Sequence, residues 1–232
     1  MKVLGIDTST MMGAVGIVEG EDILAELRTN VAVTHSERLM LHIDGLLRSA
    51  RLTLDDIGGF AVTVGPGSFT GLRIGLAAVK GLAYGTGRPV AGISSLDVLA
   101  DNLPYSRYQA APALDARKGM VYAALYRTAD GAPVMLMPPS VITPDGLAET
   151  ITEPTIFVGE GAYVYREYLA ARLGDKALFA PRAYGYPSGA AVAFRGLREI
   201  MAGRASALST LAPMYIREPG AREPKQPVMR QE

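Results

Sequence analysis

The chain has no cysteine and no tryptophan, only two histidines, and no apolar run long enough to cross a membrane. Without cysteine there is no disulfide, no thiolate metal site and no cysteine nucleophile, which suits a reducing compartment. His35 and His42 are seven residues apart, about 10 Å along a helix, and do not reach one metal ion together. They read as partly solvated helix residues. An excess of one charge is also lacking: 23 Lys and Arg balance 23 Asp and Glu. No global field therefore recruits nucleic acid, and any RNA contact must come from a local patch or a partner. Gly, Pro or a charge interrupts every apolar run, and the opening residues 2–7 are too short for a signal peptide. A cytoplasmic protein with no membrane attachment is expected.

What is present is an apolar half, ample for one large core or two small ones. The most informative stretch is a strand-like run, residues 59–64, that breaks into Gly65-Pro66-Gly67-Ser68-Phe69-Thr70-Gly71-Leu72-Arg73 and resumes as an apolar helix over 74–83. Pro66 fixes one dihedral of the turn, and Ser68 or Thr70 caps the helix. Inside it Gly71, Gly75, Ala78 and Gly81 leave one side nearly bare, although each interior glycine costs about 1 kcal/mol against alanine. A bare side lets another backbone come close, either from within the domain or from a partner.

The order of elements repeats. Extended stretches at 2–7, 13–18 and 23–27, joined by short polar turns, form a meander. A helix follows, with Thr34 and Glu37 at capping-box spacing and Leu39, Ile43, Leu46, Leu47 and Ala50 on one stripe that Met40 and Leu41 widen. Then come a strand at 60–64, the small-residue helix, a strand at 90–93 and a short helix from Ser95. The second half runs through strands at 109–114, 120–126 and 134–137, a helix opened by Thr143-Pro144-Asp145, a strand at 155–158, and helices at 162–171 and 189–201. Both halves open with a strand ending in Asp, Asp7 and Asp115. The organisation is two tandem βββαβα units, residues 1–107 and 108–213, with a mixed-charge tail at 214–232.

Two such units, each with a polar turn after its first strand, resemble the α/β RNase-H-like fold of sugar kinases, Hsp70 and actin. The segments Leu4-Gly5-Ile6-Asp7-Thr8-Ser9-Thr10, Val64 through Gly75, and Asp115-Ala116-Arg117-Lys118-Gly119-Met120-Val121-Tyr122 resemble the bacterial TsaB (YeaZ-like) family of tRNA threonylcarbamoyladenosine biosynthesis proteins. The resemblance implies a subunit that does no chemistry alone. Such a subunit pairs with the homologous catalytic subunit TsaD and, with the ATPase TsaE, serves transfer of threonylcarbamoyl to N6 of adenosine 37 in tRNAs reading ANN codons. It also implies a homodimer in isolation, contact with tRNA only through the complex, no cofactor on this chain, room for ATP or ADP at the interface of the complex, and a metal ion on the catalytic partner alone.

The residues agree with lost chemistry. Aligned with TsaD, Ser95 and Leu99 stand where that subunit carries the two histidines of an HxxxH metal motif, and a hydroxyl with an isobutyl group cannot replace them. The turn Asp7-Thr8-Ser9-Thr10 lacks the glycine that opens backbone amides to phosphate, so it reads as a vestigial nucleotide turn or a plain hydrogen-bonded one. Glu160, between Gly159 and Gly161, puts an anion where nucleotide-binding relatives have glycine. Asp115 and Arg117 form an internal pair in a solvated hairpin, and no catalytic residue is expected. The expected partner interface is helical, with Leu39, Ile43, Leu46, Leu72, Arg73, Ile74, Gly75, Leu76 and Val79 divided between core and partner. Three other readings remain open: an ATP-dependent small-molecule kinase of the same fold, a metallopeptidase, which the missing paired-histidine motifs oppose, and an RNA-binding module using Arg217, Arg222, Lys225 and Arg230.

Overall fold

Alternation along the first strand, β1 (Lys2–Asp7), decides how the helices are shared out. Leu4 and Ile6 point to one face of the sheet and Val3 and Gly5 to the other. In the computed structural model residues 1–30 and 35–216 are described, residues 35–37 by their backbone alone. The Thr34 and Glu37 capping box and the charged residues from Arg217 onward lie outside the described residues.

The first sheet adds β2 (Gly13–Glu19), β3 (Asp22–Thr29), β4 (Ile57–Gly65) and β5 (Val90–Ser94), in the order β3-β2-β1-β4-β5. The first three strands are antiparallel, and β4 and β5 run parallel to β1 and to each other. Two helices, α1 (His35–Ser49) and α2 (Phe69–Thr86), cover the Leu4 and Ile6 face side by side. Burying each of these two side chains contributes about 1.5–3 kcal/mol. Ser68 caps α2 by accepting from the Gly71 N–H, and Gly87 ends it in the left-handed conformation.

The second sheet, β10-β9-β6-β7-β8, repeats this topology with β6 (Gln109–Arg117), β7 (Met120–Arg127), β8 (Val134–Ile142), β9 (Thr155–Val158) and β10 (Ala177–Phe179). Strand β10 completes the repeat that the sequence left one strand short. The helical stretch expected over 162–171 is two helices, α5 (Glu160–Val164) and α6 (Arg166–Leu173), separated at Tyr165; α6 packs on the outer face of this sheet with α4 (Pro144–Thr150).

The division at residue 107 describes the strands but not two of the helices. Helix α3 (Ser95–Asp101) follows the first sheet yet places Leu96, Leu99 and Ala100 against Ala110, Leu114 and Val158 of the second. Helix α7 (Gly189–Met201), from the end of the second half, packs on the first sheet through Ala190, Val192 and Ala193. Its backbone lies so close that a Cβ on Gly5 would fall 2.3 Å from the Gly189 carbonyl.

A carboxylate from the first sheet caps this crossing helix. Glu26 accepts from Ser188 Oγ at 2.5 Å and from the Ala190 N–H at 3.1 Å. Burial raises the Glu26 carboxyl, but the bonds from Ser188, Ala190 and Arg28 together outweigh it and hold the group below its ordinary value of 4.5. A depressed carboxylate stabilises the fold above its unfolded value, and that stability is lost as pH falls through the folded value. Glu26→Gln is therefore expected to lower the melting temperature at pH 7 and to converge on the parent as pH falls through the folded value, as read from melting curves across pH.

Candidate partner-binding surface and interlobe cleft

The turn after β1 is closed over by α2. Asp7 Oδ1 accepts from the Ser9 N–H at 3.2 Å, from Ser9 Oγ at 2.6 Å and from Thr63 Oγ1 at 2.8 Å, while Thr8 Oγ1 donates to the Gly71 carbonyl at 2.8 Å. The Ser68 N–H donates to the Ser9 carbonyl at 2.7 Å, and Thr10 Oγ1 exchanges hydrogen bonds with the backbone of Met12. Asp7, Thr8, Ser9 and Thr10 are all buried. The close approach rests on glycine: a Cβ on Gly71 would lie 2.0 Å from the Thr8 carbonyl oxygen, and one on Gly75 2.4 Å from Thr8 Oγ1. Part of the bare side of α2 is thus used within the domain.

Between the lobes, a cleft of about 270 Å3 is lined by Thr10, Ser68, Phe69, Asp115, Arg117 and Glu160, among others. Burial, then the charge of Asp115, pushes the Glu160 carboxyl up. Arg117 stands 3.2 Å from Asp115, the pair expected in the solvated hairpin. A nucleotide does not fit these residues. The turn that would cradle its phosphates is sealed by α2, and the cleft presents Asp115 and Glu160 to a polyanion. Ser95 and Leu99 are fully buried, Ser95 Oγ donating to the Pro66 carbonyl at 2.8 Å, so both act as packing groups. Among the described residues no three His, Cys, Asp or Glu side chains cluster as a metal site.

The residues expected at the partner interface are mostly core. Leu39, Ile43, Leu46, Leu72, Leu76 and Val79 are buried against the first sheet or beneath α2, Gly75 seats the turn, and Ile74 is half-buried on the same core. The division between core and partner that the sequence left open falls almost wholly on the core side: of the nine only Arg73 is exposed. The outward side of the helix pair carries other groups. Met40 is 50% exposed, Leu41 68% and Tyr84 86%, with Ala77 and Gly81 on the outer side of α2. A Cβ added to Gly45 or Gly81 would meet nothing within 4 Å, so the isolated fold has no use for glycine at either position. Together they forgo about 2 kcal/mol of helix propensity.

At the start of α2 the chain's end returns. The Met214 N–H donates to the Val64 carbonyl at 2.6 Å, and Tyr215 OH accepts from Arg73 Nε at 3.0 Å. The Arg73 guanidinium lies 3.8 Å above the Phe69 ring, and the Phe69 and Tyr215 rings are 5.3 Å apart. Met214 and Tyr215, expected as the start of a tail, instead lie against the end of β4 and the start of α2 at the rim of the cleft. Sequence reasoning missed Tyr84, Phe69 and Tyr215 as surface groups. The one available signal was a helix keeping glycine where neither a turn nor a cap needs it.

Residues 29–225 match the family model described as TsaD, tRNA N6-adenosine threonylcarbamoyltransferase. The tRNA threonylcarbamoyladenosine biosynthesis protein TsaB of Bacillus subtilis is 30% identical over 94% of this chain and 94% of its own length. The chain belongs to the TsaB family. A crystal structure from Pseudomonas aeruginosa, described as an uncharacterized protein with similarity to peptidase YeaZ, superimposes with a TM-score of 0.80 at 26% identity, covering 93% of this chain and 99% of that one. The ROK hexokinase of Thermus thermophilus, 13% identical with a TM-score of 0.50 over 88% of this chain and 100% of its own, shares the fold alone. This chain is thus built on two tandem lobes of the sugar-kinase-like fold, as its repeat of element order indicates. No helix among its described residues is long and apolar enough to cross a membrane.

Proposed function

We propose that this chain is a noncatalytic subunit of tRNA threonylcarbamoyladenosine biosynthesis that docks on the homologous TsaD-type catalytic subunit through the outward side of α1 and α2. The observation that carries the reading is the pair Gly45 and Gly81, open to solvent among Met40, Leu41, Ala77 and Tyr84. Glycine on an outer helix surface costs stability and returns it only when another backbone comes close. A homologous partner supplies such a backbone, since its own first two helices pack against these about a pseudo-two-fold axis. The same surface meeting itself gives a homodimer when the partner is absent.

The contribution is binding free energy. An interface of standard size, roughly 1,600 Å2 in total, holds the catalytic subunit in its active conformation and completes a surface for the ATPase TsaE and for tRNA. The partner carries the metal ion, any ATP or ADP lies at the interface of the complex, and the assembly works in the cytoplasm on adenosine 37 of tRNAs reading ANN codons. Asp7 and Asp115 stabilise turns in this chain and act on no substrate. Light-scattering chromatography of the chain with the TsaD-type protein of the same cell is expected to give a complex containing both chains. Two separate peaks at micromolar concentrations of each would refute the docking.

A further inference from the structure

The two crossing helices meet at a charged cluster outside the cleft and the helix pair. Arg195, on α7, forms a two-point ion pair with Asp101 on α3: Nε donates to Oδ2, and Nη2 donates to Oδ1 at 2.9 Å. The same guanidinium donates to Asp97 twice, from Nη1 to Oδ2 and from Nη2 to the backbone carbonyl, each at 3.3 Å. Asp97 in turn accepts from Tyr126 OH, on β7 of the second sheet, at 2.5 Å. One guanidinium therefore joins α7, which comes from the second half to pack on the first sheet, to α3, whose Val98 packs with the first sheet while Leu96, Leu99 and Ala100 pack on the second.

From this we infer that Arg195 is an interlobe latch that holds the two lobes at one fixed angle. The planar fork satisfies both oxygens of Asp101 and reaches Asp97 only at the present spacing of α3 and α7. Rotation of one lobe about this crossing parts Arg195 from at least one carboxylate and leaves a half-buried charge without its partner. Neighbouring bonds brace the same junction. Asn102 Nδ2 donates to the Tyr184 and Tyr186 carbonyls at 2.7 and 3.2 Å, and Thr128 Oγ1 donates to the Leu103 carbonyl at 2.6 Å. Clefts of about 380 and 450 Å3 both reach Arg195, so water has access to the cluster, and its geometry rather than burial sets the angle to which the apolar packing of α3 and α7 is held. The consequence is mechanical: whatever grips the first lobe also fixes the second, and the chain transmits an orientation without closing on a ligand. This inference concerns the isolated chain and does not depend on the docking proposed above.

The absence of cysteine makes the test direct, because introduced cysteines are the only ones to label. Ser49→Cys on the first lobe and Lys176→Cys on the second are both exposed and carry spin labels in the full chain, diluted with unlabelled protein so that self-association adds no distance. The parent is expected to give one narrow interlobe distance by pulsed electron paramagnetic resonance. Arg195→Leu, and Arg195→Lys, which keeps the charge but loses the fork, are expected to broaden that distribution about twofold. Asp101→Asn keeps the shape of the junction and serves as the readout should Arg195→Leu fail to fold, with the same broadening expected. A parent distribution already broad, or variants as narrow as the parent, would overturn the latch.

Discussion

Gly81→Arg is expected to weaken association with the TsaD homologue by at least about 100-fold while leaving the chain itself as stable as the parent or slightly more so. The two halves of this expectation have separate causes. A side chain at position 81 meets no atom of its own chain within 4 Å, and replacing an interior helix glycine improves helix propensity. On the docked surface the same side chain occupies the space that a partner backbone needs, and its charge loses water without a carboxylate to meet it. Ala77→Glu, also exposed on α2, is expected to act in the same direction. Calorimetric titration with the partner, paired with thermal melting of each variant, separates the two effects. Unchanged affinity in both variants would place the interface elsewhere.

Gly71→Ala is expected to cost at least about 2 kcal/mol of folding stability, the reverse of Gly81→Arg although the two glycines share a helix. A Cβ at position 71 would sit 2.0 Å from the Thr8 carbonyl oxygen, and the neighbour that must give way is backbone held at both ends by a strand. The Thr8 hydroxyl bond to the Gly71 carbonyl and the Ser68 bond to Ser9 would be displaced with it. Urea unfolding followed by circular dichroism measures the loss. A stability equal to the parent's would mean that the turn after β1 is not seated against α2, and that its residues are available for a ligand after all.

These opposite outcomes show where the sequence stops being legible. Periodicity places local elements well: β1, β9 and α7 fall on the residues that alternation and helical spacing indicate. Strand β10 is invisible because Ala177-Leu178-Phe179 is too short to carry a period. The exchange of α3 and α7 between sheets is equally hidden, since Arg195 and Asp101 are 94 positions apart and nothing local marks them as a pair. On α2, spacing reveals a bare side but not that it divides into an inner part seating Thr8 and an outer part open to solvent. On α1 the run Leu39-Met40-Leu41 is apolar throughout, and only the packed sheet shows that Leu39 is core while Met40 and Leu41 face outward. That Asp7 through Thr10 lacks the glycine of a phosphate turn was legible in the sequence. The helix that lies on the turn was not.

The central claim is that this chain contributes a docking surface and no reacting group. Its most direct test is threonylcarbamoyl transfer to a tRNA reading an ANN codon, reconstituted from purified parts with this chain alone, with the TsaD homologue and TsaE alone, with all three, and with Gly81→Arg or Asp7→Asn in place of the parent chain. Transfer is expected only when all three are present, retained with Asp7→Asn once its concentration matches the folded parent's, and abolished with Gly81→Arg. Transfer by this chain alone, or full activity with Gly81→Arg, would contradict the claim.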